Sequence, residues 1–143
     1  QAAHAIKELI RDPKQTAIAL VTVPEEMPVN EAVWLSQALK TELSLEVSRV
    51  IINQIFPDHI PAGSSSEAIL DYIGQARPTG DLEALIRNAE TSRARRRLHE
   101  RYREELRQKL PRPTSELPFV FANTMGPSEL EPLVTELERS NSL

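Results

Sequence analysis

The sequence feature that most constrains the fold is an apolar run near the middle of the chain, Arg-Val-Ile-Ile-Asn-Gln-Ile-Phe-Pro, from Arg49 to Pro57. A run this rich in β-branched residues and closed by a proline predicts a strand buried on both faces. Strands of that kind occur in parallel sheets whose faces are covered by helices. The run therefore predicts an α/β fold built around a strand at about residues 49–56.

One polar side chain interrupts this run, because Asn53 lies near its carboxyl end. A buried amide is costly unless its donors and acceptors are satisfied. The carboxyl ends of parallel strands are where open α/β sheets bind ligands, and an asparagine amide can pair with the N6/N7 edge of adenine. Asn53 is therefore a candidate for reading a nucleotide base. An amide that caps a turn explains the same residue, and this feature leaves both interpretations open.

Composition limits the classes of protein and site. The 143 residues are 40% hydrophobic and 27% charged, as expected of one globular domain with a real core. The net charge of −4 argues against a nucleic-acid partner. The absence of cysteine excludes disulfides, thiolate metal sites and cysteine nucleophiles, and the three histidines lack metal-ligand spacing. With no apolar run long enough for a bilayer and no signal-peptide pattern, a cytoplasmic protein without direct membrane insertion is the expectation.

Two further segments predict strands. Residues 16–23, Thr-Ala-Ile-Ala-Leu-Val-Thr-Val, predict a second buried strand. Residues 117–121, Leu-Pro-Phe-Val-Phe, predict either a last strand or a packed loop. Strands that alternate with helical patterns predict a parallel sheet with helical cover. Since two or three strands form only a thin sheet, further strands are expected from another part of the protein or from a partner.

Helical patterns separate these strands. The first helix should end at Arg11–Pro13, because the residue before a proline disfavours the helical region. The second should be capped by Asn30 or a neighbour, the longest should span about residues 81–110, and the last should open at Gly126–Ser128. Trp34 is expected to pack beside the apolar stripe of the second helix. A short amphipathic helix is expected between the central strand and the long helix, with its apolar side chains at Ala68, Ile69, Tyr72 and Ile73.

The apolar stripes of the helices predict the side chains that are buried. In chain order they are Ala2, Ala3, Ile6, Leu9 and Ile10; Ala32, Val33, Leu35, Leu39 and Leu43; Leu82, Leu85, Ile86, Ala89, Leu98, Tyr102 and Leu106; and Leu130, Leu133, Val134 and Leu137.

The middle of the long helix is strongly basic. Its arginines are Arg93, Arg95, Arg96, Arg97, Arg101 and Arg103. Binding of phosphate or nucleic acid is one interpretation. A solvated face balanced by Glu100, Glu104 and Glu105 is the other, and the sequence favours it. No interleaved aromatic side chains support base stacking on this helix.

Several motifs, taken in order, resemble one family. They are Asp12-Pro13 and Thr16, the strand ending Val-Thr-Val-Pro-Glu-Glu-Met-Pro, a helix beginning with Glu31, and Ile-Ile-Asn-Gln-Ile-Phe-Pro. Together they resemble the carboxyl-terminal part of the arsenite-pump, or anion-transporting, ATPases, a group that includes the tail-anchored-protein targeting ATPases. Pro118, Gly126, Leu130 and Leu133 repeat the spacing of that family's adenine loop and terminal helix. The resemblance covers residues 12–56 and 117–137, with little similarity between about 61 and 110.

The resemblance implies a fold and a set of roles. It implies that residues 1–143 are a single α/β domain, the carboxyl-terminal part of a deviant P-loop NTPase. Such proteins are dimeric ATPases that couple ATP state to opening and closing. By position, Asn53 matches the family's base-reading asparagine, and Pro118 and Phe119 match the loop that packs on adenine. ATP is the implied ligand, with Mg²⁺ held through an upstream half. The implied partners are that half, a second copy of the protein, and a transporter or membrane-protein cargo.

The departures from the family concern its chemistry. The chain has only four glycines, which are never grouped, so no loop can cradle phosphates. The paired zinc-binding cysteines of some members are absent, and Asn123 stands where an acidic residue is expected. The chain by itself is therefore not expected to hydrolyse ATP. Arsenite prefers soft thiolate ligands, so an arsenite site is not expected either.

A second class of function remains open. The alternative is a non-catalytic interaction or dimerisation module that uses the arginine-rich helix as its working surface. A response-regulator-like or flavodoxin-like domain fits less well. Those folds require a glycine-bearing first loop or an acidic cluster at the strand ends, and the sequence has neither.

Overall fold

The computed structural model describes residues 2–56 and 80–141. Its described elements are three parallel strands and four helices. The strands, adjacent in chain order, are β1 (Ile18–Thr22), β2 (Val47–Ile55) and β3 (Thr114–Pro118). The helices are α1 (Ala2–Arg11), α2 (Glu26–Leu43), α3 (Gly80–Lys109) and α4 (Pro127–Asn141).

The predicted α/β class, with a small parallel sheet under helices and one long helix, is confirmed, and it is consistent with a P-loop NTPase-like fold. The end of the first helix at Arg11 is also confirmed. The short helix predicted at residues 68–73 lies outside the described residues. Within the described ranges, no helix is both long enough and apolar enough to cross a membrane.

The core lies on one face of the sheet, between the strands and the two central helices. Leu20 of β1 pairs with Val50 of β2, and both are buried. They pack in one cluster with Val29 and Ala32 of α2, Tyr102 and Leu106 of α3, and Leu110, which follows α3 directly. Burial of these largely apolar side chains is the main favourable contribution to folding.

The opposite face of the sheet is less covered than the sequence predicted. Val21 of β1 is 63% exposed, and Ile51 of β2 is only half-buried. The prediction that both strands are buried on both faces is therefore wrong for the described residues. The helix that packs on this side is α4, and it lies against β3 rather than against β1.

The bounds of β3 also differ from the prediction. The strand is Thr114–Pro118 rather than residues 117–121, so the apolar Phe119 and Phe121 follow it. Its polar side chains are satisfied from other elements: Arg49 of β2 donates a 2.7 Å hydrogen bond to the Ser115 hydroxyl, and Glu116 binds two arginines of α3. An apolar run was the wrong signal here, because this strand tolerates polar residues that have partners.

The start of α2 corrects a second prediction. The helix begins at Glu26 with Glu25 in the N-cap position, so Asn30 is not the cap. Pro28 lies in the first turn, where a missing backbone N–H costs nothing because that group has no intrahelical acceptor. Asn30 instead accepts a 3.4 Å hydrogen bond from Lys109 of α3.

Only some of the predicted apolar stripes are buried. Leu106 and Tyr102 of α3 are buried as predicted, whereas Leu98 is 43% exposed and His99 takes its place in the interior. The other predicted side chains that are exposed are Ile6, Leu9, Ile10, Leu35, Leu43, Leu130 and Val134, and Trp34 is exposed as well. Periodicity defines a helix correctly but does not say which element covers its apolar face.

The arginine-rich region of α3 makes two kinds of contact. Arg96 pairs with Glu100 at 3.0 Å and Lys109 with Glu105 at 2.6 Å, which agrees with a charge-balanced surface. Arg103, by contrast, crosses to Glu116 of β3. The solvated-face interpretation therefore holds for part of the helix, while its carboxyl-terminal half is tied to the sheet.

Candidate nucleotide-base site

The three residues predicted for the site lie near the carboxyl edge of the sheet. Asn53 is two residues before the end of β2, and Pro118 is the last residue of β3. Pro118 pairs with Ile55 in the sheet, and the N–H of Phe119 donates a 2.8 Å hydrogen bond to the carbonyl of Ile55. Parallel pairing of β2 with β3 therefore places Pro118 and Phe119 beside the end of the Asn53 strand.

The side chain of Asn53 is half-buried and engaged with the backbone. Its Oδ1 accepts a 2.8 Å hydrogen bond from the N–H of Gln54, a residue with a positive φ of 61°. Within the described residues, its Nδ2 donates no hydrogen bond. The turn-capping interpretation thus has direct support. Base reading remains compatible with it, because an amide oxygen has a second lone pair and the amide nitrogen has two donors.

Asn53 also lines a groove of about 620 Å³ between β1 and α2. Most of the lining is apolar and includes Val21, Pro28, Trp34 and Leu35. Pro118 and Phe119 do not line this groove. The structure therefore brings Pro118 and Phe119 together beside Ile55, but it does not place Asn53 in one cavity with them.

An aromatic cluster surrounds Phe119. All three phenylalanines of the chain meet here. The Phe56 and Phe119 rings are stacked with centroids 4.9 Å apart, and Phe121 lies 4.7 Å from Phe119. Sequence reasoning missed Phe56 and Phe121, although each follows the end of a predicted or observed strand. Their position after the strands, in a chain with few aromatics, is the signal that could have found them.

Two residues of α3 complete this cluster. The Arg95 guanidinium lies 4.8 Å from the centroid of the Phe56 ring, and the His99 imidazole meets the same ring edge-on at 5.6 Å. Neither residue was singled out for the site from the sequence. They reach Phe56 only because α3 packs across the sheet, which is a tertiary relationship without a local sequence pattern.

The interior position of His99 determines its protonation. The residue is 5% exposed, and its Nδ1 has no hydrogen-bond partner among the described residues. Burial lowers the pKa of His99 below its usual 6.5; the nearby Glu25 carboxylate opposes this, while Arg95 and Arg103 reinforce it. A neutral imidazole at pH 7 acts as a packing ring against Phe56.

The chemistry of the described residues fits a base better than it fits phosphates or a metal ion. The phenylalanine cluster offers flat apolar contacts of the kind a purine ring uses, and Asn53, in a separate groove, offers an amide of the kind that pairs with an adenine edge. No group of three or more histidine, aspartate or glutamate side chains in the described ranges is arranged to hold a metal.

Comparison with known proteins relates the first half of the chain to one family. Residues 1–68 match the family described as anion-transporting ATPase, a range that includes β1, α2, β2 and Asn53. ATPase GET3B of Arabidopsis thaliana is 44% identical over 52 residues, which are 36% of this chain and 12% of that protein's length.

The fold is thus that of a parallel α/β protein consistent with the P-loop NTPases. Its first 68 residues match the anion-transporting ATPase family, which agrees with the resemblance that the sequence motifs carry. The chain spans only a small part of the length of its relative, and Pro118 and Phe119 lie beyond the range of the family match.

Proposed function

We propose that the chain supplies the adenine-binding side of the ATP site of an anion-transporting or targeting ATPase. Asn53 reads the edge of the base, and Pro118 and Phe119 cover its face. The observation that supports this proposal is the parallel pairing of β2 with β3, which brings Pro118 and Phe119 beside the carboxyl end of the strand that carries Asn53. That edge is where open α/β sheets bind ligands.

Recognition of adenine follows from the donors and acceptors of the Asn53 amide. Its Nδ2 donates to N7, and its Oδ1 accepts from the N6 amino group through the lone pair that the Gln54 N–H leaves free. Guanine presents an oxygen acceptor at C6, which would face Oδ1 without a proton between them. The site therefore prefers ATP to GTP.

In this proposal the triphosphate and its Mg²⁺ are bound outside this sequence. A phosphate-binding loop requires grouped glycines and a lysine, and the four glycines of the chain are scattered. Phosphate contacts supply a large part of nucleotide binding, so the chain by itself binds ATP weakly and does not hydrolyse it. The whole protein acts as a cytoplasmic dimer that couples ATP hydrolysis to the transport or delivery of a cargo, with the upstream half as the partner of this chain.

The test is an Asn53→Ala variant of the ATPase that contains this chain. We expect ATP binding to weaken by about 1–3 kcal/mol, the usual cost of losing a half-buried polar contact, and the preference for ATP over GTP to relax. Isothermal titration calorimetry with both nucleotides measures this. Gln37→Ala, which removes an exposed amide from α2, is the matched control. Unchanged affinity and unchanged preference in Asn53→Ala would contradict the proposal.

A second candidate function rests on the exposure of the first half of α3. From residue 84 to residue 98, none of the described side chains is buried, whereas the second half packs on the sheet. A long exposed basic helix suits an interaction or dimerisation module. Light scattering at 50 mM and 500 mM salt tests this, because screening weakens exposed charge contacts. A monomer at both salt concentrations would count against it.

A further inference from the structure

Arg95 and His99 lie one turn apart on α3 and contact the same ring. Arg95 places its guanidinium 4.8 Å from the Phe56 centroid, and His99 meets the ring edge-on at 5.6 Å. Phe56 in turn stacks on Phe119, with an angle of 28° between the two planes. Arg95, Phe56 and Phe119 thus form a continuous series of contacts from α3 to the residue that follows β3.

We propose that α3 forms the back wall of the base site and that Arg95 is a positioning residue, which fixes Phe56 and through it the Phe119 ring against the purine of a nucleoside triphosphate. This inference rests on the function proposed above. It adds a helix that lies outside the residues matched to the family, and it assigns a role to one arginine of a cluster that otherwise looks like a solvated surface.

The physical reason lies in the geometry of the stack. Phe56 is only half-buried, so packing against the core does not by itself fix the orientation of its ring. His99, being 5% exposed, supplies a rigid edge contact, and the cation of Arg95 is attracted to the electron-rich ring. Without Arg95 the Phe56 ring gains freedom and Phe119 loses a fixed neighbour. Binding of a purine must then also order the Phe119 ring, and this cost lowers the affinity. The purine is also held less precisely relative to the Asn53 amide.

An effect of the position of Arg95 can be distinguished from an effect of its charge, because a nearby arginine serves as a control. Arg97 lies two residues further along α3, carries the same charge and is exposed, and it makes no ring contact in the described structure. A charge effect on the triphosphate would act on ATP and GTP alike and would be shared by Arg97. A positioning effect would be specific to Arg95 and would change the ratio of the two affinities.

The experiment is isothermal titration calorimetry of the ATPase that contains this chain, with ATP and with GTP. The variants are Arg95→Ala, Arg95→Lys and Arg97→Ala, with circular dichroism to verify folding. We expect Arg95→Ala to weaken ATP binding about two- to fivefold, the range for an exposed cation–ring contact, and to lower the ATP-to-GTP affinity ratio. Arg95→Lys retains a cation near the ring and should recover most of the loss, and Arg97→Ala should match the unmodified chain.

Asn53→Ala and Phe119→Ala, run in parallel, distinguish the two proposals. If both weaken ATP binding while Arg95→Ala behaves like Arg97→Ala, the positioning role is wrong and the base site stands. If Arg95→Ala weakens ATP and GTP equally, its effect is one of charge, and the positioning role is also wrong. If neither Asn53→Ala nor Phe119→Ala changes the affinity for ATP, the base site itself is overturned and the role of Arg95 with it.

Discussion

Arg103 of α3 donates two hydrogen bonds to the carboxylate of Glu116 in β3, through Nε at 2.8 Å and through Nη2. Arg107, one turn further along the helix, donates another at 2.5 Å. The Arg103 side chain is 22% exposed and the Glu116 side chain 25%, so the pair is partly shielded from water. The longest helix is therefore tied to an outer strand of the described sheet by a paired charge as well as by apolar packing.

We expect Glu116→Ala to lower the free energy of unfolding by about 1–3 kcal/mol, because the variant leaves two guanidinium groups near the sheet without their shared acceptor. Urea unfolding followed by circular dichroism measures this. The control is Glu100→Ala, which breaks a more exposed pair with Arg96 and should cost less than about 0.5 kcal/mol. Equal losses in the two variants would show that the Glu116 contacts contribute no more than an ordinary surface pair.

A second prediction concerns the buried side of α3. Leu106 is 1% exposed and packs in the core, whereas Leu98, two turns earlier, is 43% exposed. Leu106→Ala should destabilise the chain by about 2–5 kcal/mol, because it removes buried methyl groups and leaves a cavity. Leu98→Ala should change stability by less than about 1 kcal/mol. Thermal and urea unfolding of the two variants compare them directly, and a larger loss in Leu98→Ala would contradict this packing.

The packing of Leu106 and the hydrogen bonds of Glu116 show which parts of the fold the sequence can predict and which it cannot. The apolar run around Ile52 and the long pattern through Leu106 predicted a buried strand and a helix, because local period and composition carry that information. The bounds of β3 were wrong because Ser115 and Glu116 are acceptable in a strand only when Arg49 and Arg103 satisfy them. Those partners are distant in sequence, so no local pattern records them.

Some residues of the candidate site were likewise predicted from the sequence, and others were not. Asn53, Pro118 and Phe119 came from a resemblance in motif order, and they remain predictions for binding. Arg95 and His99 were beyond the reach of the sequence, since their contact with Phe56 depends on how α3 crosses the sheet. The positive φ of Gln54 was likewise not predicted, because glutamine carries no signal for a left-handed conformation.

The carboxyl end of α2 offers a stabilising substitution. Ser44 caps the helix with φ 57° and ψ 37°, a left-handed conformation that favours glycine. Ser44→Gly should raise the free energy of unfolding by about 1 kcal/mol, because it removes the steric cost of a side chain in this region. The matched control is Ser36→Gly in the middle of α2, which should lower stability by about 0.5 kcal/mol. Urea unfolding of both variants checks the opposite signs, and a loss of stability in Ser44→Gly would refute the assignment of the cap.

His99 predicts how stability depends on pH. Burial lowers its pKa in the folded chain below the unfolded value of 6.5; Glu25 opposes the shift, and Arg95 and Arg103 add to it. Between the lowered pKa and 6.5 the unfolded chain therefore binds more protons than the folded chain, and stability rises with pH. As the pH falls from about 6.5 towards the folded-state pKa, the contribution of His99 is progressively lost.

The measurement is the difference between the free energies of unfolding at pH 7.5 and pH 5.5. We expect this difference to be smaller in His99→Phe, which keeps an aromatic ring against Phe56 but cannot take up a proton. His4→Phe, at an exposed position of α1, removes a histidine without changing the core and should leave the difference as it is in the unmodified chain. Because carboxylates titrate in all three proteins, the comparison isolates His99. A pH dependence in His99→Phe equal to that of the unmodified chain would mean that His99 is not the group responsible.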